Sequence, residues 1–499
     1  MTTICFTTKD LALFSAASHD RNPLHISAGY ARTTPYGEPV VFGILGALAA
    51  LGHLPDRKDM VLGGVSLEFR NPMTVGVNYR IELSAPSAHQ SLVKVYDVAR
   101  LMMKATFTFI PGHRRSTAMN VSEYCSPIEA ADRKKEDFLV GSRVTGIYGP
   151  SIGGFEKVVV RWGLSGKGAT AIQIAAIMWT SFVVGMELPG KRAMFWRVAI
   201  DFKSDGEQQR AQLSYDVTIK DFDERLDLLH TTGALFSDNS LFAIAQIWAF
   251  VRRDSPQSSP LEIANLLPRS EQLKGKVALV IGGSRGLGAA ITQALALQGC
   301  SVLVNYHKSK VEAQRIRESL GDQSSLIELL QGDAADIQWC RILRQHILKE
   351  YGGLDFLVCN ASPPIRPLHF VPENIERFQD FLTKSLALVS VPMSTFLSSL
   401  SERSGWNVLV SSAFVRDLPA ELPHYVTTKF AVEGLAHWAA AYYPQAQSLI
   451  VRPPKLLTDQ TNTTVGRHEV MAVEQAAAAI VRHLCNSRPS QAVQILEDF

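Results

Sequence analysis

Val277-Ala-Leu-Val-Ile-Gly-Gly-Ser-Arg-Gly-Leu-Gly288 decides the fold of the C-terminal half. The five apolar residues 277–281 leave no polar face, as expected of a strand covered on both sides of a parallel sheet. A glycine-rich turn follows and leads into an apolar helical run. Short apolar runs recur at 301–305, 356–359, 407–410 and 448–451, separated by helix-length segments. This alternation predicts an α/β doubly wound parallel sheet, with its ligand beyond the carboxyl ends of the strands.

Ser412 stands thirteen positions before Tyr425, and Lys429 four positions after it, in Tyr425-Val-Thr-Thr-Lys429. A tyrosine and a lysine at i and i+4 share a helix face, so the ammonium is expected to lower the phenol from its free pKa of about 10 towards neutrality. Together with Gly282, Gly286 and Gly288, this set resembles the short-chain dehydrogenase/reductase family over residues 273–484. The resemblance implies a Rossmann-like domain in which Tyr425 donates a proton to a carbonyl oxygen, Lys429 assists it and holds the nicotinamide ribose, and Ser412 hydrogen-bonds that oxygen. It implies a cofactor site at Gly282, Ser284, Arg285, Gly286, Leu287 and Gly288, with Asp333 at the adenine and Asn360 and Thr458 lining the cleft. NADPH is expected over NADH, because Leu303-Val-Asn-Tyr306 offers no acid for a ribose 2′-hydroxyl, whereas Arg285, His307, Lys308 and Lys310 are suited to a 2′-phosphate. Ile281, Ser362, Ser385 and Pro454 depart from the family pattern, Ser385 in place of the asparagine that carries a relay water.

Nearer the N-terminus, His19-Asp20-Arg21-Asn22-Pro23-Leu24-His25 is followed eighteen residues later by Gly43. Adding or removing water across a double bond conjugated to a thioester needs a base, an acid and a stabiliser for the enolate-like oxygen. The acid, the histidine, their interval and the downstream glycine resemble the MaoC-like (R)-specific enoyl hydratases over about residues 10–111. By that resemblance Asp20 and His25 activate water and shuttle its proton, and the Gly43 N–H polarises the thioester carbonyl. Phe42 stands where the family carries a histidine, which is expected to alter the pocket lining.

An internal repeat accompanies this motif. Ala50-Leu-Gly-His-Leu-Pro55 is echoed by Val184-Gly-Met-Glu-Leu-Pro189, and Val65-Ser-Leu-Glu-Phe69 by Val198-Ala-Ile-Asp-Phe202, at nearly equal separations. The order predicts an α+β double hot-dog, one long helix wrapped by an antiparallel sheet, present twice. Counting back from Val198 puts the equivalents of Asp20 and His25 near Gly153 and Val158, so the second half is expected to be non-catalytic. Polar, proline-bearing stretches suggest boundaries at 1–115 and 137–252 for the two halves, a linker at 253–272 and the reductase at 273–499.

With 499 residues the chain exceeds one ordinary core, and its net charge of +3 gives no field directed at nucleic acid or a membrane surface. The basic runs Arg114-Arg115 and Arg133 to Lys135 read as solvated linker. Six scattered cysteines, Cys5, Cys125, Cys300, Cys340, Cys359 and Cys485, show no metal-ligand spacing and fit a reduced cytoplasmic compartment. The N-terminus does not read as a signal peptide, and no apolar run reaches bilayer length, 172–186 coming nearest.

The two resemblances imply consecutive reactions, reduction of a 3-oxoacyl thioester and dehydration of the 3-hydroxyacyl product to the 2-enoyl thioester, on an acyl carrier protein or coenzyme A. The pathway expected is fatty acid or polyketide-type biosynthesis, with a homodimer as the plausible assembly. The alternatives are the reverse sequence of β-oxidation with NAD, and a catalytically impaired acyl-binding scaffold subunit.

Overall fold

The computed structural model describes residues 2–112, 122–124, 126–203, 213–486 and 492–499. Arg114, Arg115 and Cys125 lie outside the described residues. The chain divides into two compact units, Met1–Asp254 and Ser255–Phe499.

In the first unit, β1 (Thr3–Cys5), α1 (Thr8–Ser18), two single turns α2 (Pro23–Ile26) and α3 (Ala28–Ala31), and α4 (Gly43–Gly52) precede β2 (Met60–Phe69), β3 (Asn78–Ser87), β4 (Gln90–Asp97) and β5 (Arg100–Pro111). The second half repeats the plan with β6 (Arg143–Tyr148), α5 (Ile152–Arg161), α6 (Ala171–Phe182), β7 (Ala193–Phe202), β8 (Leu213–Asp223), β9 (Leu228–Ser237) and β10 (Ser240–Val251). Among the described residues these strands form one ten-stranded sheet, ordered β1-β3-β4-β5-β2-β7-β10-β9-β8-β6. The second five strands mirror the first. The two repeated Val-x-apolar-acid-Phe segments meet at the seam, where β2 and β7 run antiparallel with Val65 opposite Ile200 and Leu67 opposite Val198. Each half thus supplies to the other the partner strand its own edge lacks.

Two central helices fill the core because they have no polar face. Residues 44–51 of α4 and all of α6 are buried, and the helices pack on each other and on β5, β7 and β10. Thr170 and Gln173 start α6 with a capping box, and Val183–Glu187 extends it as a π-helical turn. Helix α5 is amphipathic, burying Phe155, Val158 and Val159. Thr7 and Asp10 cap α1 reciprocally, and Asp10 also takes a 2.7 Å ion pair from Arg161 of α5. Counting back from the strands misplaced the second-half equivalents: Gly153 and Val158 lie within α5, the counterpart of α1, whereas Asp20 follows α1. The turn after α5 reads Trp162-Gly-Leu-Ser-Gly-Lys-Gly168 and also carries neither acid nor histidine.

The second unit opens with α7 (Pro260–Leu266), which packs on later helices and buries Ile263, although the sequence reads there as linker. Then follow β11 (Val277–Ile281), α8 (Gly286–Leu297), β12 (Ser301–Tyr306), α9 (Lys310–Ser319), β13 (Ile327–Gln331), α10 (Ile337–Tyr351), β14 (Phe356–Cys359), α11 (Ile375–Glu402), β15 (Trp406–Val410), α12 (Phe414–Asp417), α13 (Pro423–Tyr442), β16 (Gln447–Val451), α14 (Val473–Asn486) and β17 (Val493–Leu496). The seven strands pair in parallel in the order β13-β12-β11-β14-β15-β16-β17, the doubly wound arrangement. Ala278 and Val280 enter one apolar layer, while Val277, Leu279 and Ile281 enter the opposite one, so β11 carries no polar alternation.

Helix α11 and its leading turn, Pro372–Glu402, are long and apolar enough by composition to cross a membrane, which the sequence reading did not foresee. Val389, Met393, Phe396, Leu397 and Leu400 of that helix lie in the core of the second unit, so its apolarity is that of a packed helix.

Candidate active sites

The C-terminal candidates follow the carboxyl ends of the parallel strands, and the strand order reverses between β11 and β14. Gly282 turns the chain with φ +73°, and a Cβ there would come within 2.9 Å of Ala361. A Cβ on Gly288 would sit 2.1 Å from the Gly282 carbonyl oxygen, so only glycine lets α8 start this close to β11. Asn360 fixes the loop by donating from Nδ2 to that same oxygen at 3.1 Å. Ser284 is buried within the loop, Leu287 packs into the core, and Thr458 lies beside Gly286, 3.4 Å from a Cβ placed there. The first N–H groups of α8 lack intrahelical partners, so the cradle suits a pyrophosphate. Asp333 is exposed at the end of β13, where its carboxylate accepts from the Ala335 N–H at 2.9 Å.

Arg285 makes an ion pair that its position in the sequence does not announce. Its Nη1 lies 2.9 Å from Asp459 Oδ2, and Asp459 also accepts from Ser255 Oγ. His307, Lys308 and Lys310 are exposed after β12.

Ser412 follows β15, and Tyr425 and Lys429 sit one turn apart on α13, with the Lys429 ammonium 5.2 Å from the Tyr425 ring centre. Lys429 Nζ donates to the Val410 carbonyl at 2.7 Å, and burial lowers its pKa to about 8. The expected lowering of Tyr425 does not occur. Burial pushes the phenol up to about 12, and the hydrogen bond with Ser412 is what opposes that rise. Ser385, on the neighbouring α11, is buried with no partner for its Oγ.

The N-terminal candidates also converge. Asp20, His25 and Gly43 line a cavity of about 300 Å³, whose apolar wall includes Phe69, Met73, Met102, Phe195, Trp196 and Phe250. Gly43 is the first residue of α4, so its N–H is among the donors that a helix leaves unpartnered. His25 Nδ1 meets the Val40 carbonyl at 2.8 Å, which places the proton on Nδ1 and leaves Nε2 as the basic nitrogen. Burial depresses His25 to about 4, so the ring is uncharged at neutral pH. Asp20 moves the other way: burial raises it to about 7, against hydrogen bonds from Ser181 and the Asn22 N–H. Phe42 does not line the cavity. It is fully buried against Phe14 and stacks on His25 with ring centres 3.9 Å apart, so it props the imidazole.

Two contributors escaped the sequence reading, and both belong to the second half. Ser181 of α6 donates to Asp20 Oδ2 at 2.7 Å, and a Cβ on Gly185 would come within 2.3 Å of Asp20 Oδ1. Asn22 Nδ2 reaches the Gly185 and Gly190 carbonyls at 3.1 and 3.0 Å, tying the motif to the π-helical turn. The signal available was Ser181 and Gly185, four apart where a mostly apolar helix runs into its last turn.

Residues 276–465 match the family model described as short chain dehydrogenase. The chain is similar to a hydroxynaphthalene reductase-like protein, Arp2, of Metarhizium robertsii, 30% identical over 171 residues that cover 34% of this chain and 61% of that protein. It is similar to the tetrahydroxynaphthalene reductase PfmaG of Pestalotiopsis fici, 30% identical over 188 residues covering 36% of this chain and 66% of the relative. The chain thus spans about six tenths of the length of the curated relatives it matches. A short chain dehydrogenase from Burkholderia cenocepacia J2315, solved in complex with NADP, is 27% identical and covers 45% of this chain and 97% of its own, with a TM-score of 0.41. The strand order, the glycine loop and the family match coincide on one segment, and residues 276–465 of the C-terminal unit are a short-chain dehydrogenase domain.

Proposed function

We propose that the chain is a bifunctional enzyme that reduces a 3-oxoacyl thioester with NADPH and then dehydrates the 3-hydroxyacyl product to the 2-enoyl thioester. The observation that carries this reading is the presence, in one chain, of Ser412, Tyr425 and Lys429 at the strand ends and of Asp20, His25 and Gly43 around an apolar cavity. The relatives named as a hydroxynaphthalene reductase-like protein and a tetrahydroxynaphthalene reductase support a reductive role.

In the reductase, bound NADPH supplies the hydride. Tyr425 delivers the proton to the ketone oxygen, Ser412 holds that oxygen, and the Lys429 cation, 5.2 Å from the Tyr425 ring centre, offsets the phenolate charge as it forms. Gly282, Gly286 and Gly288 are fitted to the dinucleotide because a side chain at any of them would strain or fill the cradle, and Ser284, Leu287, Asp333, Asn360 and Thr458 surround it. Arg285 is the residue assigned to the 2′-phosphate.

For dehydration, the environments of Asp20 and His25 separate their roles. Neutral His25 takes the C2 proton at Nε2, Asp20 in its protonated form gives a proton to the departing hydroxyl, and the Gly43 N–H receives the enolate-like oxygen. The C2–H bond and the C3–O bond break, the C2–C3 double bond forms and water leaves. The N-terminal unit is read as a MaoC-like double hot-dog, catalytic over 1–115 and supporting over 137–252, a reading favoured by the mirrored strand order and the two central helices. We assign the acyl group to a carrier protein or coenzyme A, the location to the cytoplasm and the assembly to a homodimer.

Two assays on the purified chain test the assignment. NADPH oxidation with a short 3-oxoacyl thioester is expected to collapse in Tyr425→Phe and persist in Asp20→Ala, while hydration of an enoyl thioester shows the reverse. Loss of both activities in both variants would rule out two separate sites.

A further inference from the structure

We propose that Asp459 is a coenzyme-selecting residue of the C-terminal unit: by holding the Arg285 guanidinium it competes with a 2′-phosphate and sets how strongly NADPH is preferred over NADH. This rests on the dinucleotide reading of the glycine loop. Arg285 is the N-cap residue of α8 with an extended backbone, so its side chain leaves the loop where the phosphate-binding helix begins. It meets Asp459 at 2.9 Å, in the short 3-10 turn Asp459–Thr461 that follows Thr458.

The pair is asymmetric. The Asp459 side chain is 13% exposed and that of Arg285 31%, so the carboxylate is the more deeply set partner. Ser255 Oγ donates to its other oxygen and holds it in place. Burial disfavours its charge, and the carboxylate of Glu312 adds to that effect. Glu312 lies in the first turn of α9, two residues after Lys310 and shortly after His307 and Lys308. The Arg285–Asp459 pair therefore lies within electrostatic reach of the segment where a ribose 2′-phosphate is read in this fold.

A guanidinium N–H that is given to a carboxylate is not available to a phosphate oxygen. A 2′-phosphate must displace or share Asp459, and it does so in the field of two acids. NADH has no phosphate at that position and is indifferent to the exchange. Neutralising Asp459 thus tightens NADPH alone, by up to about fivefold for a partly exposed ion pair.

The experiment is a titration of the full chain with NADPH and with NADH, followed by calorimetry, for wild type, Asp459→Asn, Arg285→Ala and the double variant. Asp459→Asn is nearly isosteric, and Asp459→Ser replaces it should the asparagine not fold. The expected result is an NADPH complex about two- to fivefold tighter in Asp459→Asn, unchanged NADH binding, and no gain when Arg285 is absent. Weaker NADPH binding in Asp459→Asn, an equal gain for both coenzymes, or a gain that survives Arg285→Ala overturns the proposal. A wild type that binds neither coenzyme removes the dinucleotide reading itself, which sets that failure apart from failure of the selection step.

Discussion

Replacing Ser181 by alanine removes one hydrogen bond from a buried carboxylate and is expected to move the pH profile of the dehydration step. Asp20 is 2% exposed, and its pKa stands at about 7 even though Ser181 Oγ donates to Oδ2 and the Asn22 N–H to Oδ1. A hydrogen bond to a charged group is worth about 1.5–3 kcal/mol, and at 1.36 kcal/mol per unit its loss raises Asp20 by about one to two further pH units. With Asp20 as the acid of the proposed dehydration, activity is expected below its pKa and falls above it. The alkaline limb of dehydration by Ser181→Ala should therefore lie about one to two pH units above that of the wild type. Stability changes in a linked way. The folded pKa is raised above the ordinary 3.8, so Asp20 contributes fully below that value and its contribution is lost as pH rises through about 7. Ser181→Ala should deepen the loss at higher pH. The assay follows enoyl formation from a 3-hydroxyacyl thioester between pH 5 and 10, with denaturant melts at the two ends. A limb that stays where the wild type has it refutes the reasoning.

Lys429 is held to about 8 by burial, so its ammonium is present below that pH, and ketone reduction should decline as pH rises through about 8. Lys429→Arg, whose cation does not titrate, should lose that limb in NADPH-oxidation profiles. Ser385→Ala removes a buried hydroxyl without a partner and should leave stability unchanged or raise it by up to about 1 kcal/mol, read as an equal or higher Tm. Asp355 anchors the start of β11, accepting from Lys276, the Val277 N–H and Arg403, each at 3.0 Å, with its side chain 3% exposed. Asp355→Ala should destabilise the C-terminal unit by roughly 1–3 kcal/mol in urea melts, because the buried Val277 N–H loses its acceptor and the partly exposed Lys276 and Arg403 lose their counter-charge.

Local signals in the sequence were readable and distant ones were not. β11 was legible because an unbroken apolar run before glycines suits a strand buried on two faces. β13 and β17 were missed because Ile327-Glu-Leu-Leu-Gln331 and Val493-Gln-Ile-Leu496 mix polar residues into short strands at the two sheet edges. Asp20, His25 and Gly43 lie close in sequence and could be read as a motif, whereas Ser181 stands 161 residues from Asp20 and no spacing rule connects them. Arg285 fits an anion-binding loop by position, but its carboxylate partner lies 174 residues away. The expected effect of Lys429 on Tyr425 follows from helix spacing, but burial governs the phenol here, which only packing reveals.

The most direct test of the two-site account is the product spectrum of one incubation: wild-type chain, NADPH and a short 3-oxoacyl thioester, on coenzyme A and on a carrier protein, followed by mass spectrometry. The account predicts a 2-enoyl thioester with one NADPH consumed per molecule, preceded by a transient hydroxyacyl species two mass units above the ketone. Hydroxyacyl thioester that accumulates with no enoyl product would contradict the dehydratase assignment, and a ketone left unchanged on both carriers would contradict the reductase.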